Sequence, residues 1–166
     1  MVITKWQIKK LKMKKISKHI TYKEATNSNY AKRYSISNKP NEEQLENLEL
    51  IAEKVFEPLR EWVDGPIKVN SMFRSKKLND GIRGASSSQH LSGNAIDITS
   101  MGGKTNLEMF HYIKDNLDFD KLIWEFGSDN PKWIHVSYNN EKDNRKQVLV
   151  TKRQGKYFTW VDCKNC

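Results

Sequence analysis

The chain has 166 residues, 37% hydrophobic and 30% charged, with five Trp, six Tyr and six Phe, which suits one folded domain and excludes a disordered chain. No apolar stretch is long enough to cross a bilayer, and the N-terminus is charged but lacks the apolar centre of an ordinary secretory signal. The net charge of +9 is unevenly placed: residues 1–23 hold eight Lys and no acid, leaving 21 of the 29 basic residues against all 20 acidic ones.

A cationic arm (Lys5, Lys9, Lys10, Lys12, Lys14, Lys15, Lys18, Lys23) is thus attached to a nearly neutral body. Such an arm suits an anionic cell wall, an anionic membrane or nucleic acid, or is simply a solvated terminus. The balanced remainder and the lack of a basic recognition helix argue against nucleic-acid binding as the main activity. We expect a basic extension over 1–12, one domain over 13–162 and a tail over 163–166. That tail holds the only cysteines, Cys163 and Cys166. A lone C-x-x-C is half of a structural zinc site or a redox pair, and no second pair exists, so it reads as two thiols on a terminus.

Ile16 to Tyr22 alternates loosely, as a short strand would. Residues 24–40 are polar and read as loop with short helical turns. Asn41 is an N-cap for a helix whose Leu45, Leu48, Ala52, Val55 and Leu59 recur at helical spacing, with Pro58 expected to kink or end it. Gly65-Pro66 turns into a strand at Ile67–Ser71. The stretch 76–89 is small and polar and reads as loop, followed by a short buried strand at Ala95–Ile98. Gly102-Gly103 breaks the chain before a second helix through Leu107, Phe110, Lys114 and Leu117, capped at Thr105 or Asn106. His111 on that helix reads as a packed or exposed side chain. Lys121–Phe126 and Trp133–Tyr138 form a hairpin, and Gln147–Thr151 with Lys156–Val161 form another about Gln154-Gly155. The class is α+β, a small domain with a central antiparallel sheet flanked by helices.

His90 and Asp97 bracket Gly93, and Asp97 lies between Ile96 and Ile98, where an ionised side chain is costly to bury without a partner. His135 follows on a later strand, sharing a face with Trp133 and Ser137. Two imidazoles and one carboxylate suit a catalytic zinc that keeps a position open for water. Spacing alone also allows histidines that are merely hydrogen-bonded. Such chemistry needs a base. Glu125 is the best candidate, because folding the hairpin about Asn130 sets it opposite His135; a one-residue slip would turn it away. Asp129 is the weaker alternative. Arg74, at the end of a strand, can grip a substrate carboxylate in bidentate fashion. Ser88 and Gln89 can hydrogen-bond substrate or orient the loop.

The run Ser88-Gln89-His90-Leu91-Ser92-Gly93-Asn94-Ala95-Ile96-Asp97 resembles the S-x-H-x-x-G-x-A-x-D motif of zinc D-Ala-D-Ala carboxypeptidases and related peptidoglycan peptidases. That group includes phage endolysins and shares its core with hedgehog signalling domains. Ile16 to Glu24, Asn38-Lys39-Pro40, Glu57-Pro58-Leu59-Arg60, Phe73-Arg74-Ser75, Leu78-Asn79, Leu122-Ile123-Trp124-Glu125 and Trp133-Ile134-His135-Val136 fall in the expected order, so the likeness spans roughly residues 13–140. It implies one zinc ion on His90, Asp97 and His135, with Arg74 and Ser88 at the substrate. It implies hydrolysis of a peptide bond in peptidoglycan stem peptides or crosslinks, by a carboxypeptidase or an endopeptidase. Many relatives carry the catalytic residue just before the last histidine. Here those positions are Lys132 and Trp133, which leaves Glu125 to serve as base. The expectations that follow are a monomer, made in the cytoplasm without a signal peptide and, as for a phage or prophage lysin, released to the cell wall, where the arm meets an anionic envelope. A rival reading keeps the fold and uses it to bind cell-wall peptide or protein without turnover.

Overall fold

The computed structural model describes residues 15–139, 142–153 and 155–160. Most of the basic arm, both cysteines and the expected domain boundaries lie outside the described residues.

The N-terminal part is built from caps. Lys15 and Thr21 form an isolated bridge, not the expected strand, because Thr21 is committed to a reciprocal capping box with Glu24 that starts α1 (Tyr22–Ala25). Ser28 caps α2 (Asn29–Arg33). Asn41 and Gln44 form a second capping box at the start of α3 (Glu42–Ile51). The chain then widens into a π turn, Ala52–Phe56, before α4 (Glu57–Val63). Pro58 therefore neither ends nor breaks the helix: the wider turn stands just upstream of it, and the missing N–H falls in the first turn of α4. The stripe Leu48, Ile51, Ala52, Val55 and Leu59 is fully buried.

After β1 (Ile67–Ser71), the segment expected to be loop contains α5 (Lys76–Gly81), capped by the Ser75 hydroxyl. β2 (Ala95–Ser100) follows, then α6 (Asn106–Asn116), whose cap is Thr105 in a capping box with Glu108. His111 lies on α6, edge-on to Phe110 and Trp160. The remaining strands are β3 (Lys121–Glu125), β4 (Trp133–Ser137), β5 (Gln147–Arg153) and β6 (Lys156–Thr159).

Six strands form one sheet in the order β1-β2-β4-β3-β5-β6 among the described residues. The class is α+β, with one departure from an all-antiparallel sheet: β5 pairs with β3 in parallel, Lys121 beside Gln147 through Glu125 beside Thr151. β4 ends next to the start of β3, with Ser137 opposite Lys121. A short crossing from there begins β5 at the same end of β3. The crossing is pinned to the residues before β3 by Lys146 N–H to the Phe119 carbonyl and by Arg145 on Asp120.

One sheet face is core. Ile96, Ile98, Leu122, Ile134 and Val136 are fully buried in one apolar cluster with residues of α3, α4 and α6, each worth about 1.5–3 kcal/mol of burial. The other face alternates with it and carries Asp97, His135, Ile123, Glu125, Leu149, Thr151 and Tyr157. No helix among the described residues is long and apolar enough to cross a membrane.

Candidate metal centre and groove

Asp97 and His135 are direct partners across β2 and β4, so their side chains leave the same face of the sheet. Asp97 Oδ1 accepts from His135 Nδ1 at 2.8 Å. His90 arrives from the loop before β2. Its Nδ1 lies 2.6 Å from the Met72 carbonyl. A carbonyl only accepts, so Nδ1 carries the hydrogen and Nε2 presents a lone pair. That Nε2 is buried, lacks an aligned hydrogen bond, and lies 3.2 Å from Asp97 Oδ2. Two acceptors facing each other at this distance need a positive charge between them, a proton on Nε2 or a metal ion.

The loop can deliver His90 because of Gly93. Its φ is +80°, and a Cβ there would stand 2.5 Å from the Gln44 carbonyl of α3. Gln44 and Asn47 also hold the loop by hydrogen bonds to the Leu91 and Ser92 carbonyls.

Ligand atoms of His90, Asp97 and His135 all lie within 4.8 Å of one another. Two donors on a tetrahedral zinc, each about 2.0–2.1 Å from it, stand about 3.3 Å apart. The His90–Asp97 spacing is already close to that, and the Met72 carbonyl supplies the orienting contact that metal-bound imidazoles usually have. The donor set therefore fits zinc. Burial raises the proton affinity of Asp97, but the two imidazole neighbours, His90 and His135, outweigh it and hold the carboxyl well below its ordinary value.

Arg74 follows β1 and points along the groove wall. Its Nη2 donates to Asp97 Oδ2 at 2.8 Å and its Nε to Ser71 Oγ at 2.9 Å. Three further N–H bonds, two on Nη1 and one on Nη2, remain for a ligand. Ser88 lines the same groove. Gln89 also sits at the wall, but its Nε2 donates to Asp120 and its Oε1 is buried without a partner. The structure ties this amide to the fold.

Glu125 lies opposite Trp133, not His135; the partner of His135 is Ile123. The expected register is off by two residues. An even slip keeps side chains on their face, so Glu125 still projects to the side of the three ligands. β3 is also no edge: β5 flanks it. Burial pushes the Glu125 carboxyl up to about 7, with Asp97 adding to the shift and His135 and Arg74 opposing it. Asp129 is exposed in the loop and is not part of the groove wall. The groove has a volume of about 710 Å³ and runs past Arg74, His90, Asp97, Glu125, His135 and Tyr157. Tyr157 was not singled out from sequence. Only the pairing of β5 and β6 onto β3 brings it here.

A His–Asp–His set beside a carboxyl of near-neutral proton affinity, in a groove across a sheet, is the arrangement of a mononuclear metallohydrolase. A family model described as Peptidase M15 matches residues 18–137, more than half of the chain. The chain belongs to this family of zinc metallopeptidases. No match is found among curated proteins.

Proposed function

We propose that the chain hydrolyses a peptide bond in bacterial peptidoglycan, within a stem peptide or at a crosslink. The observation that carries this is the buried His90 Nε2, its lone pair facing the Asp97 carboxylate beside His135 and Glu125. The peptidoglycan substrate is inferred from the resemblance of the Ser88–Asp97 run to wall peptidases.

When bound on His90, Asp97 and His135, zinc would polarise the scissile carbonyl and acidify water. Each residue around it has a separable task. The Met72 carbonyl fixes the His90 ring. Arg74 holds Asp97 and offers its remaining N–H groups to a substrate carboxylate or to the oxyanion that develops on attack. Glu125 takes the proton of the attacking water and returns it to the leaving amine; a carboxyl poised near neutrality can do both. The basic arm would favour an anionic envelope through attraction that weakens with salt.

The test is hydrolysis of purified peptidoglycan with zinc, with a chelator, and by Glu125→Ala, with the cut bond identified by mass spectrometry of the muropeptides. Zinc-dependent cleavage lost in Glu125→Ala supports the proposal. Zinc binding without turnover on several wall chemistries would support a binding module instead.

A further inference from the structure

The β5–β6 hairpin lies beyond the family-matched segment, which ends at residue 137, yet it forms part of the groove. Glu125 pairs with Thr151, and Thr151 pairs with Tyr157. Direct partners share a face, so Glu125, Thr151 and Tyr157 form one row across three strands on the ligand side of the sheet. Two strand spacings, about 9.6 Å, separate the outer members of that row, a gap that a tyrosine and a glutamate side chain narrow from both ends. Between them Thr151 is small and 1% exposed. Its hydroxyl is turned to the Arg153 and Lys156 carbonyls at the hairpin bend.

Tyr157 lines the groove together with Leu149 and Gly155 of the same hairpin. It is about half exposed (51%), and among the described residues its hydroxyl has no hydrogen-bond partner. Partial burial, then the carboxyls of Glu125 and Asp97, raise the phenol above its ordinary value of 10.0, with Arg74 opposing. The O–H therefore stays a donor at neutral pH. Arg74 stands beside Asp97 on one side of the ligand set, and Tyr157 lies on the other side of Glu125. A peptide laid across the sheet in this groove would meet both.

We propose that Tyr157 is a substrate-positioning residue, its hydroxyl donating to a backbone carbonyl of the bound peptide on the side of the scissile bond away from Arg74. The inference rests on the peptidase reading above. In this arrangement the hairpin is the second wall of the substrate groove, and Tyr157 grips ground state and transition state alike.

The experiment compares wild type, Tyr157→Phe and Tyr157→Ala in the full zinc-loaded chain. The probes are a stem pentapeptide ending in D-Ala-D-Ala and a crosslinked muropeptide dimer. Loss of one neutral hydrogen bond predicts a KM raised about three- to tenfold in Tyr157→Phe with kcat held, and a larger rise in Tyr157→Ala. Zinc content and Tm should not move. The same weakening is expected in the Kd of the probe for Glu125→Gln against the Glu125→Gln/Tyr157→Phe double variant, which reads binding without turnover. Unchanged KM and Kd in a chain whose wild type cleaves a probe would overturn the role of Tyr157 and leave the peptidase reading intact. A fall confined to kcat would also overturn it. A wild type that cleaves neither probe nor purified peptidoglycan would overturn both.

Discussion

Asp97 and Asp120 are both buried aspartates held as anions, and their surroundings differ in kind. Asp120 is fully buried and closed: Arg145 donates Nε and Nη2 at 2.8 and 2.6 Å, and Gln89 adds its amide at 2.9 Å. Its counter-charge is permanent. Asp97 faces two imidazoles and shares Arg74 with Ser71. One imidazole nitrogen beside it has no aligned hydrogen bond. The closed carboxylate anchors a chain crossing. The open one is arranged for a cation that the polypeptide does not supply. A low proton affinity is common to both; what separates structure from function is whether the partners already satisfy one another.

The sharpest way to break that contrast is to remove the open site. Asp97→Asn or His90→Ala should abolish stoichiometric zinc binding, read by metal analysis after dialysis, and reduce peptide hydrolysis to background while the chain stays folded. Zinc retained at full occupancy would show that these residues are not the ligands. Next in size, Glu125→Gln should keep zinc and lose about 10²–10⁴-fold in kcat. Because the base works ionised, the wild-type rate should rise with pH through the Glu125 titration. That limb should fall at or below about 7, since a bound cation pulls the carboxyl down from the position set by burial. A limb that persists unchanged in Glu125→Gln would move the base elsewhere.

The site was legible to the extent that it depends on local sequence. His90, Gly93 and Asp97 lie within eight residues, and one glycine with positive φ explains how they converge. Glu125 was legible only in parity: the hairpin closes with Glu125 on Trp133, a two-residue difference that side-chain alternation forgives. The helix at Lys76–Gly81 was missed because it is one short turn or two ending in Asn79, Asp80 and Gly81, which resemble loop, and only the Ser75 cap betrays it. The parallel docking of β5 depends on Arg145 finding Asp120, 25 residues earlier, a pairing without local periodicity. Tyr157 inherits the same obscurity, since its place in the groove exists only after β5 is docked.

That clamp yields the next prediction. Arg145 is itself half exposed, and Gln89 still donates to Asp120, so Arg145→Ala should cost about 1–3 kcal/mol in urea unfolding, with zinc binding retained by the folded fraction. The pH dependence follows from the depressed proton affinity of Asp120, held at about 2 chiefly by its hydrogen bonds to Arg145. A carboxyl whose folded value lies below its unfolded one adds stability above the unfolded value, near 3.8, and loses it as pH falls through about 2. The contribution is on the order of 2 kcal/mol. Arg145→Ala should therefore flatten the acid limb of the stability curve between those values. An unchanged limb would mean that other carboxylates govern acid unfolding.

The smallest effect belongs to the residue that joins the two carboxylates. Gln89 gives its amide to Asp120 while its neighbour His90 faces Asp97. Gln89→Met keeps the length of the side chain, deletes one hydrogen bond, and also removes a buried carbonyl that has no partner. The two changes oppose each other, so the net loss should stay below about 1 kcal/mol. Asp120 keeps its arginine, and His90 keeps the Met72 carbonyl, so zinc affinity should fall by less than tenfold, the lower bound for losing a group that orients a ligand directly. KM should not move, because this amide is turned to Asp120. A KM that rises in Gln89→Met without loss of stability would instead place Gln89 at the substrate, and the wall of the groove would then extend one residue beyond His90 into the loop.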